Sequence, residues 1–102
     1  MNTQNEIFNL IRTWAKDRGL YEKGDPKTQY VKLGEEFGEL GKAILKNDLP
    51  EIIDAIGDCV VVLTNLSELC NLKIEDCILS AYSEINKRTG KMNNGTFVKN
   101  EK

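Results

Sequence analysis

Hydrophobic positions along this chain recur at intervals of three and four, the spacing that gathers side chains on one face of a helix. Ile7, Leu10, Ile11 and Trp14 open the pattern. Thr3 followed by Glu6 has the form of a capping box, so a first helix is expected from Gln4 to about Asp17. The periodicity lapses between Arg18 and Thr28, where Gly19 and Gly24 act as breakers. Asp25-Pro26 supplies an N-cap and a proline at the first helical position, which starts a second helix reaching about Lys46. Asn47-Asp48-Leu49-Pro50 repeats that punctuation and predicts an antiparallel third helix from Pro50 to about Cys70. After a turn at Asn71-Leu72-Lys73, the spacing of Ile74, Cys77, Ile78, Ala81, Tyr82 and Ile85 marks a fourth helix, with Gly90 as its C-terminal cap. The stretch 91–102 is polar, carries Asn93-Asn94-Gly95, and lacks helical periodicity; its apolar Phe97 and Val98 are expected to pack over the bundle or against another subunit. No strand-period alternation is long enough to suggest a sheet. The expected fold is all-α, a four-helix bundle forming a single domain over 1–102 with a polar tail.

The second and third helices carry the candidate chemistry. On the second, Tyr30, Leu33, Phe37, Leu40 and Ile44 form an apolar stripe, and Glu35, Glu36 and Glu39 occupy the neighbouring sector. Carboxylates three and four residues apart overlap in space and repel, so a positive partner is expected; Lys32, four residues before Glu36, is one candidate. The third helix is apolar around most of its circumference, from Ile52 and Ile53 through Val60 to Leu66, which is the pattern of an interior helix. Its polar strip holds Asp54, Asp58 and Asn65 within about 40° on an ideal wheel, with Glu51 at the edge. An ionised carboxylate drawn inside without a partner costs several kcal/mol, so such groups are paired, neutralised or bound to metal.

Composition narrows the chemistry. A formal charge of −2 with scattered Lys and Arg residues argues against a nucleic-acid surface. No apolar run approaches the roughly 20 residues of a membrane span and the first residues do not form a leader, so a cytoplasmic protein without a membrane partner is expected. Cys59, Cys70 and Cys77 form no CxxC pair and read as reduced thiols. The chain has no histidine, which removes Ser-His and Cys-His machinery and the Glu-x-x-His pairs of carboxylate di-iron bundles. Clustered hard oxygen donors with neither thiolate nor imidazole suit Mg²⁺, with Mn²⁺ as a substitute.

The run Lys32-Leu33-Gly34-Glu35-Glu36-Phe37-Gly38-Glu39-Leu40, followed by Asp54-Ala55-Ile56-Gly57-Asp58, closely resembles the all-α MazG-like nucleotide pyrophosphohydrolases over nearly the whole chain. In that family an EExxE segment and an ExxD segment on successive helices bind Mg²⁺ for hydrolysis of nucleoside triphosphates. Glu35, Glu36 and Glu39 match the first. Asp58 matches the aspartate of the second, but Ala55 stands where its glutamate is expected; Asp54 is the stand-in, and Glu51 with Asp54 is a weaker registration. The stretch from Ala81 to Met92, followed by Asn94 to Lys99, is similar to the ending of compact phage-type or bacterial members.

The resemblance implies that Glu36, Glu39, Asp54 and Asp58 hold the metal, that Glu35 accepts a proton from the attacking water or positions it, and that the products are a nucleoside monophosphate and pyrophosphate. It also implies a homo-oligomer, dimer or tetramer. Lys32, Asn65, Arg88, Lys91 and Trp14 are candidate substrate contacts, with Lys87 and Lys99 close to the last cations in sequence. Each has an ordinary structural reading beside it: cations complement a helix C-terminus, Trp14 continues the core stripe of the first helix, and Asn65 steadies a ligating carboxylate. A non-catalytic helical interaction or regulatory module is the alternative for the chain as a whole.

Overall fold

The computed structural model describes residues 6–100. Five helices and one β-hairpin follow in order: α1 Ile7–Asp17, α2 Leu20–Lys23, α3 Pro26–Lys46, α4 Leu49–Leu69, α5 Ile74–Ile85, then β1 Gly90–Asn93 and β2 Thr96–Lys99. The all-α architecture expected from the periodicity is present. The Thr3 half of the expected capping box, and the predicted start at Gln4, lie outside the described residues.

Local chemistry explains the long elements. The Asp25 carboxylate accepts the Thr28 N–H at 2.8 Å and the Thr28 hydroxyl at 3.0 Å, while Pro26 takes the first turn of α3. Asn47 closes α3 in a left-handed conformation (φ 58°), and Asp48 at once caps α4 by accepting the Glu51 N–H at 3.2 Å. Asn and Asp suit these positions because their short side chains tolerate the left-handed region or bond to nearby N–H groups. With Asn47 and Asp48 alone between them, α3 and α4 fold back as an antiparallel pair, and theirs is the most extensive packing in the chain. Leu33 meets Cys59 and Val62 across it, with Leu40 and Leu63 alongside.

Two local predictions are corrected. The lapse after Arg18 contains the single turn α2, begun by left-handed Gly19 (φ 77°). Gly90 does not cap α5, which stops at Ile85; it starts a strand, and the polar tail is an antiparallel hairpin pairing Gly90 with Lys99 and Met92 with Phe97. Asn94 (φ 51°) and Gly95 (φ 84°) are both left-handed, which is the two-residue turn whose twist matches that of flanking strands. A Cβ on Gly90 would collide with the Val98 carbonyl oxygen and the Phe97 ring, so the hairpin needs glycine there.

The interior of one copy is thin. Tyr30, Phe37 and Ile44 do not face α4 with Leu33; they are 69%, 54% and 56% exposed on a second stripe of α3. Likewise α4 is not interior all round, because Ile53, Ile56 and Val60 lie bare on the side away from α3. The radius of gyration is 16.2 Å, against about 13 Å for a compact domain of this length. No helix among the described residues is long and apolar enough to cross a membrane.

Candidate functional site

Where α3 and α4 face each other near their shared turn, Glu36, Glu39, Glu51, Asp54, Ala55 and Asp58 line a pocket of about 180 Å³. Antiparallel pairing brings Glu36 and Glu39 of α3 to the same pocket as Glu51, Asp54 and Asp58 of α4, with Glu36 near enough for its charge to act on Asp58. The site is thus assembled by one helical hairpin whose register its short connection fixes. Ala55, buried at the base, leaves room that a larger side chain would fill.

The electrostatics are those of crowded negative charge. Glu36 retains 14% side-chain exposure, and its carboxylate lies 3.5 Å from the Lys32 ammonium, which stays half exposed. Asp58 has its pKa pushed up, first by desolvation and then by the charges of Asp54 and Glu36, with Lys32 acting weakly the other way. Burial likewise raises the Cys59 thiol, with Glu36 and Asp58 adding to the effect, so this thiol is a core group. Among the described residues no three carboxylate or thiol groups are gathered tightly enough to hold a metal as they stand. Like charges sharing a pocket repel, and one lysine stands beside them. The donor set fits a hard divalent cation: carboxylates only, around one pocket, with uncompensated charge that such an ion would neutralise.

Glu35 does not line the pocket. On an ideal helix it sits about 100° round from Glu36 and 40° beyond Glu39, turned away from α4. Asn65 shares the wheel sector of Asp58 but lies two turns further along α4. It is 2% exposed, and its side-chain carbonyl accepts the Tyr21 hydroxyl at 2.5 Å. The structure therefore uses Asn65 to tie α2 to α4, and neither this link nor Tyr21 was anticipated, since the wheel ignores axial rise.

Beside the acidic pocket, α1 and α4 enclose an apolar groove. Leu10, Ile11, Trp14, Val61 and Asp58 line a cavity of about 420 Å³. A second of about 550 Å³ continues past Ile7, Phe8, Ile53 and Gly57 and again reaches Asp54 and Asp58. Asp58 thus stands at the junction of acidic and apolar surfaces. Trp14 is not a core residue: it is 50% exposed, and the Arg18 guanidinium stacks 4.4 Å from its ring centroid while donating to the Trp14 carbonyl at 3.1 Å. Arg18 escaped notice in the sequence, although its position four residues after Trp14 is the spacing at which such pairs meet. Arg88 and Lys91 line neither surface; they lie beyond the end of α5 and in β1, and both are exposed.

Fold and site define a small helical protein in which a pair of long helices brings carboxylates to one pocket beside an apolar groove. Residues 25–92, which contain that helix pair entire, match the MazG nucleotide pyrophosphohydrolase domain. The chain belongs to that family. It is similar to an uncharacterized 18.2 kDa protein encoded in the rep-hol intergenic region of Haemophilus phage HP1 (strain HP1c1), at 44% identity over 63 residues, 62% of this chain and 39% of that one. The chain therefore spans about two fifths of that relative's length. No solved structure matches.

Proposed function

We propose that the chain is a Mg²⁺-dependent nucleoside triphosphate pyrophosphohydrolase, releasing pyrophosphate and a nucleoside monophosphate by attack of water on the α-phosphorus. The observation that carries this reading is the common pocket of Glu36, Glu39, Asp54 and Asp58 within the segment that matches the family. Those four carboxylates would hold Mg²⁺, with Mn²⁺ able to replace it, and Glu51 is available at the rim. When bound, the metal supplies charge neutralisation for the phosphates and a lowered pKa for water. The protein's own part is to position: Asp58 spans the acidic pocket and the α1–α4 groove, so phosphates on the one side leave the base against Trp14 and Leu10 on the other. Lys32 restrains Glu36 and stands close enough to meet a phosphate oxygen. Glu35 lies off this pocket, in the neighbouring sector of α3, so the water is left to the carboxylates that line it.

The test is incubation with Mg²⁺ and a panel of ribo- and deoxynucleoside triphosphates. Pyrophosphate and monophosphate are expected in equal amounts; orthophosphate in place of pyrophosphate, or no turnover of any triphosphate, would count against the reaction and favour the interaction-module alternative.

A further inference from the structure

An aromatic side chain left half exposed in the last turn of a helix is ordinarily free to turn, yet Trp14 is held. Arg18 follows α1 directly, and its backbone N–H donates to the carbonyl of Ala15, a buried residue, at 3.2 Å. Left-handed Gly19 then turns the chain away. From that fixed origin the guanidinium reaches back one turn, stacking 4.4 Å from the Trp14 ring centroid and donating to the Trp14 carbonyl oxygen at 3.1 Å. One contact is to the ring and the other to its backbone, so together they fix the indole against its own helix. Among the described residues Arg18 pairs with no carboxylate; the ion pairs there are Arg12–Glu75 and Lys32–Glu36. An arginine with no acid to answer is committed to the ring it covers.

The remainder of Trp14 borders the groove. Residues four apart follow one another along a helix face, so Leu10, Trp14 and Arg18 stand in one row. The cavity of about 420 Å³ takes Leu10 and Trp14 into its lining but not Arg18, which therefore backs the ring from outside. The sole polar side chain of that lining is Asp58, a carboxylate of the acidic pocket, which leaves no side-chain donor to grip a heteroaromatic ring by its edge. Orientation in such a groove falls to stacking, and stacking is only as definite as the ring that offers it. Ordering a freely turning side chain on binding costs about two- to tenfold in affinity. A cation over an exposed indole stabilises that arrangement by about two- to fivefold.

We infer that Arg18 is a positioning residue: its guanidinium holds the Trp14 indole ready, so that a planar base entering the α1–α4 groove completes a stack of guanidinium, indole and base while Arg18 itself touches no substrate. The role rests on the nucleotide reading above and sets base affinity within it. Two other roles compete for the same side chain. As a complement to the C-terminal end of α1, any cation would serve; as a direct phosphate contact, the base would be irrelevant.

Trp14 is the sole tryptophan of the chain, so its fluorescence reports the groove without turnover. Titration in Mg²⁺ with the α,β-methylene analogues of dATP and dTTP, whose bridge resists hydrolysis, is expected to quench Trp14 of the wild type; inorganic tripolyphosphate, which has no base, is expected to leave it unchanged. Arg18→Ala is expected to lower the fluorescence anisotropy of Trp14 and to weaken both analogues by about three- to fivefold, with the tripolyphosphate affinity measured by calorimetry unaltered. Arg18→Lys keeps the charge but loses the planar group, and is expected to melt with the wild type and to bind the analogues as weakly as Arg18→Ala. In turnover KM is expected to rise and kcat to hold, the mark of binding lost equally from ground and transition states. Equal weakening of tripolyphosphate would give Arg18 to the phosphates, full affinity in Arg18→Lys would give it to the helix end, and an unquenched Trp14 would take the base out of the groove; each overturns the inference. A wild type that hydrolyses triphosphates while Trp14 stays silent defeats the stack alone, whereas a Trp14 that responds without any release of pyrophosphate from triphosphates defeats the reaction and leaves the stack standing.

Discussion

Replacing Glu75 by Gln removes the charge that ties α5 to α1, where Glu75 accepts two hydrogen bonds from the Arg12 guanidinium at 2.9 and 2.6 Å. The Arg12 guanidinium holds the Glu75 carboxyl near 2, against an ordinary 4.5, chiefly through their hydrogen bonds. Arg12 retains 11% side-chain exposure and Glu75 39%, so solvent screens a good part of the interaction, and the expected loss is about 1–2 kcal/mol. For a chain of this size that lowers the melting temperature by about 5–10 °C at neutral pH. The pH dependence follows from the sign: a carboxyl whose pKa is depressed in the fold stabilises it fully above its unfolded value and loses that contribution as pH falls towards its folded value. The gap between wild type and Glu75→Gln is therefore expected to hold at neutral pH and to narrow from about 4.5 towards 2. Arg12 stays protonated throughout and adds no slope of its own. Thermal melts followed by circular dichroism at several pH values make the measurement. A gap that is absent at pH 7, or that persists unchanged into the acid range, would show that the pair does not tie α5 to α1.

Glu39→Ala and Asp58→Ala are each expected to cut pyrophosphate release by at least about 100-fold, the scale of losing a group that stabilises transition-state charge, while melting near the wild-type temperature; full activity in both would refute the site. Mg²⁺ is expected to raise the melting temperature of the wild type and not of Asp58→Asn, and chelation to stop turnover; calorimetry showing equal Mg²⁺ binding by both proteins would exclude Asp58 as a ligand. Asn65→Ala leaves the Tyr21 hydroxyl without its buried partner and should cost about 1–3 kcal/mol of stability with KM unchanged, whereas a raised KM at unchanged stability would return Asn65 to the substrate.

The helix pair that builds the pocket was readable in advance because its punctuation is local. Asp25-Pro26 and Asp48-Leu49-Pro50 cap and start helices through their own side chains, so no distant contact has to be known. α2 escaped because four residues between two glycines are too few to show a period, and an isolated turn depends on packing that the sequence does not display. The hairpin escaped for the same reason of length, although Asn94-Gly95 is the strongest short signal of such a turn. Angular position put Glu36 and Glu39 in one sector of α3 and Asp54 and Asp58 in one strip of α4, and all four line one pocket; the same wheels also included Glu35, which does not line it, and Asn65, which axial rise removes. The apolar circumference of α4 predicts an interior helix, but hydrophobicity has no direction and does not say which face packs. Ile53, Ile56 and Val60 stay bare.

The two-residue link between α3 and α4 has an evolutionary corollary. Every carboxylate of the pocket belongs to one uninterrupted stretch of chain, two helices joined by Asn47 and Asp48. Such a cassette travels whole through recombination, so the acidic centre can stay constant while the segments flanking it are traded. Variation that retunes which ligand is accepted is then free to accumulate at the ends of the chain, and a one-residue insertion at Asn47 would harm the centre more than exchanging either end.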